Sequence, residues 1–323
     1  MDLRLALSEI AAEHRLDAAA TRRLEDLAGL HAEPAALDAW LPRGVAVLAA
    51  ALAGLGIVFW IAANWATLGR FGRFALLEAF VVAMCAGALW KPAARAPLGL
   101  LALLAIGALF AYFGQTYQTG ADPWQLFAVW AVLALPLCVA ARSDVLWAPW
   151  ALVVMTGISL WVHAHTGHRW RVQPDDLAAH LSGWLSALVL VAFLSAPLRG
   201  ITGAGVWGQR VAIALAMVMI TVTAIGGLAG GNALLHYGLG LVVLAIAAVL
   251  LAREESFEIF GLSAVALCLD TLLVGGLVYL LFNRASRHGE LGALLLVGLA
   301  AAGLLAGTVS LLLRLARRHG AMP

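Results

Sequence analysis

Charged side chains are scarce: Asp, Glu, Lys and Arg make up 12% of the 323 residues, about half the share found in a soluble domain. So little charge cannot cover a folded surface in water, which excludes an ordinary soluble enzyme. With 63% of the residues hydrophobic, a disordered chain is excluded as well. The 20 Lys and Arg residues fall mostly at the ends of apolar runs and the net charge is only +2, so there is no basic patch for nucleic acid. Cysteine is rare too. Cys85, Cys138 and Cys268 lie inside apolar runs with neither CxxC spacing nor the loop-borne pattern of a disulfide framework, and read as small buried side chains. GxxxxGK[ST], HExxH and GxSxG are missing, as is a GxGxxG between strand and helix. No cofactor and no bound metal are therefore expected, and an energy-coupled step would draw on an ion gradient or a separate subunit. No cleavable signal peptide is expected either: the first forty residues alternate charge with short apolar groups, and the first long apolar run begins at Gly44.

What is present is a short polar segment followed by one apolar run after another. Over residues 1–40, Leu3, Leu7 and Ile10 recur at helical spacing with Arg4, Glu9 and Glu13 on other faces. Asp17 suits the N-cap of a second helix carrying Leu24, Leu27 and Leu30, and Pro34 suits the start of a short third helix leading to Trp40. From Gly44 onward, spans of membrane-crossing length are expected near 44–63, 73–90, 98–113, 124–141, 145–162, 177–196, 210–230, 233–252, 257–282 and 291–314. The third is short, and only Gly231 and Asn232 separate the seventh from the eighth, so a re-entrant or broken helix is open at either place. In lipid a helix satisfies its own backbone groups, so the expected fold is an all-α polytopic bundle: a segment 1–43, a bundle 44–314 and a tail 315–323. Ten spans place fourteen Lys and Arg residues on the side of both termini and six on the other, which puts both termini in the cytoplasm. Trp60, Trp65, Trp90, Trp124, Trp147, Trp150 and Trp161 lie near expected span ends and suit an interfacial belt.

Three stretches carry a family likeness: the N-terminal helical segment, the first span ending in Ile61-Ala62-Ala63-Asn64-Trp65, and the run from Gly114-Gln115-Thr116-Tyr117-Gln118-Thr119-Gly120 through Ala121-Asp122-Pro123 to Trp124, Leu126, Phe127 and Trp130. Over roughly the first 150 residues the chain resembles the predicted bacterial membrane proteins grouped as domain-of-unknown-function family 2157. The resemblance implies a bacterial inner-membrane protein and supplies no catalytic residues.

Four sets of residues stand out against the apolar background. Gln115, Tyr117, Gln118 and Asp122, with Thr116 and Thr119, place hydrogen-bonding groups and no cation in one connection on the side away from the cytoplasm. They suit either a mouth for a sugar, lipid headgroup or small cation, or a solvated turn. Asp270 lies near mid-bilayer and Glu78 at a shallower depth, where carboxylates are neutral, paired or lining a wet cavity. They are candidates for a proton or cation site, or for interhelical hydrogen bonds. His163, His165 and His168, with Asp175, Asp176 and His180, bring metal-ligating groups together, but Arg169 and Arg171 among them would repel a cation. Gly226 with Gly230, Gly227 with Gly231, and Gly303 with Gly307 have the spacing of close helix contacts, the first two pairs also that of a locally unwound helix. The leading expectation is a non-enzymatic protein of the cytoplasmic membrane that binds or passes a small solute, ion or lipid. The alternative is a scaffold or regulatory subunit whose residues 1–40 dock a cytoplasmic partner, the lipid bilayer being a partner in either case.

Overall fold

Apolar runs of this length have one way to satisfy their peptide groups in hydrocarbon, and the chain takes it. The computed structural model describes residues 3–28, 35–63, 67, 69–117, 120–167, 171–229, 233–253, 258–282 and 290–318. Its helices are α1 Leu3–Glu13, α2 Ala18–Leu27, α3 Ala35–Ala63, α4 Arg70–Trp90, α5 Arg95–Tyr117, α6 Pro123–Ala141, α7 Asp144–His165, α8 Leu177–Phe193, α9 Arg199–Thr202, α10 Val206–Ala229, α11 Leu234–Leu251, α12 Ile259–Phe282 and α13 Glu290–Arg318. Among the described residues, ten helices are long and apolar enough to cross a membrane. This is an all-α polytopic bundle. The third span is not short: α5 with the 3₁₀ turn before it covers Pro92–Tyr117. The seventh and eighth spans are separate full-length helices, α10 and α11.

The chain forms two compact units, residues 1–53 and 54–323. In the first, α1 and α2 make a helical hairpin. Asp17 caps α2 as its sequence suggests, its carboxylate accepting from Ala20 N at 2.7 Å while Thr21 Oγ1 donates to Asp17 O at 2.9 Å. Among the described residues the short third helix expected before the first span is not a separate element. Residues from Ala35 onward continue without a break into the span, and Pro42 sits inside the resulting α3. Only one N–H is missing at a proline, and the Ala- and Leu-rich run on both sides keeps the helix going.

In the second unit α10 is the hub: it packs against α7, α8, α11 and α12, and half of its span is buried. By contrast α4 rests mainly on α5 and α13 on α12. Close approach is bought with glycine: a side chain at Gly107 of α5 would collide with the Trp130 ring of α6, whose Nε1 donates to Leu103 O at 2.9 Å. Trp147 and Trp150 are not part of an interfacial belt. They lie near the start of α7 but point inward, 0% and 7% exposed, packed edge-to-face on each other. Trp150 Nε1 donates to Ala131 O at 2.8 Å. Position along a helix sets depth, but rotation about its axis decides whether a side chain meets lipid or core, and here the first turn of α7 faces the core. Trp60 and Trp90, at 50% and 85% exposed, face outward.

One end of the bundle is tied by carboxylates acting across helices. Asp144, in the first turn of α7, accepts three backbone N–H groups at the start of α10: Gly205 and Gly208 on Oδ1 at 2.7 and 3.1 Å, and Trp207 on Oδ2 at 2.8 Å. A Cβ at Gly205 would occupy the place of that carboxylate. These are the donors that a helix N-terminus leaves unpaired, and the negative charge also suits the helix dipole. Glu258 does the same at α12, accepting from Gly261 N, and holds Arg210 of α10 through Nε and Nη2 at 3.0 and 2.9 Å. Arg142 Nη2 reaches Gly200 O at 3.0 Å, and Arg199 Nη2 reaches Gln209 Oε1 at 2.7 Å. The connections α6–α7, α8–α10 and α11–α12 therefore meet at one end. Replacing Asp144 with Ala is expected to cost about 2 kcal/mol, with Gly205→Ala close behind. Thermal unfolding of the detergent-solubilised protein measures both, and an unchanged midpoint for Asp144→Ala would contradict the cross-helix cap.

Candidate functional site

At the other end, where α7 stops and α8 begins, the helices separate around a cavity of about 500 Å³. Its mouth is polar: His163 and Thr166 from the end of α7, Arg171 from the connection, His180 from α8 and Thr223 from α10. Its deeper wall is apolar, with Leu152, Leu160, Leu215, Val218 and Val222. Thr156 and Ser159 of α7 add hydroxyls between the two zones. Helix capping sets the mouth: Thr166 N returns to Val162 O at 3.0 Å and its hydroxyl donates to His163 O at 3.1 Å, ending α7 with His163 turned to the cavity. Arg171 is exposed and carries a permanent positive charge, while Leu152, Val218 and Val222 are more than half exposed. The cavity thus opens to water at a basic rim and to lipid along an apolar flank.

Behind the mouth lies a buried imidazole pair. His180 of α8, 8% exposed, and His236 of α11, 0% exposed, meet edge-to-face with ring centroids 5.1 Å apart. Each ring leans on one backbone group, His180 on Asp176 and His236 on Ala233, short of full hydrogen-bond geometry, and Asp176 Oδ2 has no partner. Asp176, itself 7% exposed, is close enough to act electrostatically on both rings. Thr221 Oγ1 and Trp184 Nε1 are likewise buried and unpartnered. So many unpaired polar groups in one core are unusual, since burying one without a partner costs about 1–3 kcal/mol.

The residues singled out from sequence separate into several places. Gln115 is exposed on the last turn of α5, which extends through Tyr117 where a loop was expected. Tyr117 packs at 4.8 Å on Phe113 and 5.9 Å on Phe74, with the Arg70 guanidinium 5.8 Å over its ring. Gln118 lies outside the described residues. Asp122 precedes α6 as its N-cap residue, with Pro123 at the first helical position. Glu78 is exposed on α4. Asp270 accepts from Thr308 Oγ1 of α13 at 3.0 Å. Of the histidine set, His165 turns away from the cavity and stacks on Trp161 at 4.1 Å, with Nδ1 donating to Trp161 O at 2.8 Å. His168 lies outside the described residues, and among those described no three His, Cys, Asp or Glu groups converge as metal ligands. Gly226 and Gly227 are helical and serve packing: side chains there would meet Val172 and the Ala233 carbonyl. Gly230 and Gly231 lie outside the described residues, and Gly303 and Gly307 face open space.

Sequence reading passed over His236 and Thr223, since a lone His or Thr in an apolar run gives no sign of which way it points. Thr223 and Ser159 are accessible hydroxyls of the cavity, as is Thr156, whereas Thr221 faces the core. In a background freed of native cysteines, Thr223→Cys and Ser159→Cys are expected to react with a water-soluble maleimide about tenfold faster than Thr221→Cys. Mass spectrometry of the alkylated protein reads the rates, and equal rates would mean no such cavity.

No curated protein and no solved structure matches the chain. A family match covers residues 9–147, from α1 to the first turn of α7, so most of the cavity lies beyond it. Over that segment the chain is similar to the family described as Predicted membrane protein (DUF2157).

Proposed function

We propose that this multi-pass protein resides in the bacterial cytoplasmic membrane with both termini in the cytoplasm, and binds an anionic amphiphile in the α7–α8–α10 cavity. The carrying observation is the polarity of that cavity: Arg171 and His163 at one end, an apolar flank open to lipid at the other. An acidic headgroup at the rim would gain charge-assisted hydrogen bonds, while its chain would lie against Leu152, Val218 and Val222. The orientation is supported by the fourteen-to-six division of Lys and Arg. It agrees with the hydrogen bonds that gather Arg142, Arg199 and Arg210 at the opposite end from Arg171. In this reading the stretch carrying Gln115, Tyr117, Gln118 and Asp122 lies at the extracytoplasmic end, where Trp124 sits 6.5 Å from His165. A second role, docking of a cytoplasmic protein on residues 1–40, is supported by α2, none of whose residues is buried.

Native mass spectrometry with a panel of lipids tests the main reading. Phosphatidylglycerol is expected to stay bound in preference to phosphatidylethanolamine. Arg171→Gln should weaken it about tenfold, the loss of one charge-assisted contact. Ser159→Trp, which fills the cavity without touching the rim, should displace it. Equal retention of the two lipids, or binding indifferent to both substitutions, would refute the proposal.

A further inference from the structure

A second groove, about 310 Å³ in volume, runs between α12 and α13. Along α12 its wall is Ile259, Ser263, Leu267 and Asp270, spaced so that all share one face, and α13 answers with Thr308, Val309 and neighbouring leucines. Asp270 is eleven residues from the start of α12 and twelve from its end, so about 17 Å from either in a helix rising 1.5 Å per residue. One carboxylate oxygen receives the Thr308 hydroxyl at 3.0 Å. The other, Oδ2, is shielded from solvent and has no partner. Among the described residues no Lys, Arg or His lines the groove, so none of them balances a negative charge at Asp270.

A carboxylate at mid-bilayer is stable only when its charge is matched. A hard metal ion is a poor match, because it takes about six or more oxygens and the groove offers one carboxylate and two hydroxyls. A proton alone removes the charge but leaves Oδ2 without a hydrogen-bond partner. An ammonium group with an apolar body matches the groove: a positive charge beside the Asp270 carboxylate and hydrocarbon against the leucines. A lipid headgroup would not reach it, since headgroups lie about 15 Å away at the interface. We infer that the α12–α13 groove is a binding site for a small lipophilic cation, an amine carried on an apolar body, received by Asp270. The site is separate from the basic-rimmed cavity: it lies on other helices and has the opposite charge.

The probes are octylamine and octanol, alike in shape and different in charge. Each is titrated, tritiated, onto the full-length protein in nanodiscs of zwitterionic lipid and corrected against empty nanodiscs. Octylamine is expected to bind at least about tenfold tighter than octanol, the margin of one charge-assisted contact. Asp270→Asn should abolish the preference. Val309→Trp supplies a variant that keeps the carboxylate: Val309 is 46% exposed on the rim of the groove, and a Trp there should exclude both probes. An amine that binds no tighter than the alcohol overturns the inference, as does amine binding that Val309→Trp leaves unchanged or a preference that survives in Asp270→Asn.

Discussion

The carboxylate of Asp144 is the constraint on which the arrangement of the bundle rests. It is a single side chain in the first turn of α7 that receives the three opening amides of α10. Apolar contact in a membrane bundle is weakly directional, because lipid offers a helix much the same environment as another helix does. Packing alone therefore leaves room for sliding and rotation. Three hydrogen bonds to one carboxylate remove it, fixing the height of α10 against α7 to within a bond length. Because α10 also packs on α8, α11 and α12, that one register passes to most of the second unit.

The far end of α10 shows what this register does. Thr223 lies seventeen residues beyond Val206, about 26 Å along the axis. It must arrive level with Ser159 and His163 of α7 for the cavity to have a polar mouth above an apolar flank. A slip of one turn, about 5.4 Å, would set Thr223 against the leucines and break the division between rim and flank. The buried His180–His236 pair depends on the same alignment, since its two rings come from helices that both lean on α10. The α12–α13 groove is held differently. There Glu258 fixes the start of α12, while α13 is joined through α12 and the Asp270–Thr308 hydrogen bond. One site is built into the rigid centre of the bundle, the other at its loosest edge.

What could be read from the amino-acid order follows the range of the interaction involved. Ten helices are legible because apolar length is a local property, and Asp17 is legible as a cap because its partner is three residues away. Asp270 draws attention because a carboxylate in an apolar run is conspicuous wherever it points. Its partner Thr308 does not, since hydroxyls are common in such helices and the pairing spans 38 residues. Asp144 looks like an ordinary loop charge for the same reason, its acceptor role being visible only once α10 lies beside α7. The inward turn of Trp147 and Trp150 is a matter of helix rotation, which depth along the span cannot disclose. The basic-rimmed cavity was the least legible feature. Its rim takes one or two residues from each of three helices and a connection, and none of them forms a motif alone.

The distance in sequence between Asp144 and its partners also sets an order of events as the chain is made. Gly205 leaves the ribosome 61 residues after Asp144, which is about 3–12 s of synthesis at 5–20 residues per second. For the later part of that interval α7 is complete, with a carboxylate and no α10 to receive it. Water at the membrane face must solvate it, which holds that end of α7 at the surface while α8 is threaded. The same negative charge then waits for the first helix N-terminus to emerge nearby. The residue that fixes the finished register is thus also the one that keeps α7 from sinking or inverting before its partner exists.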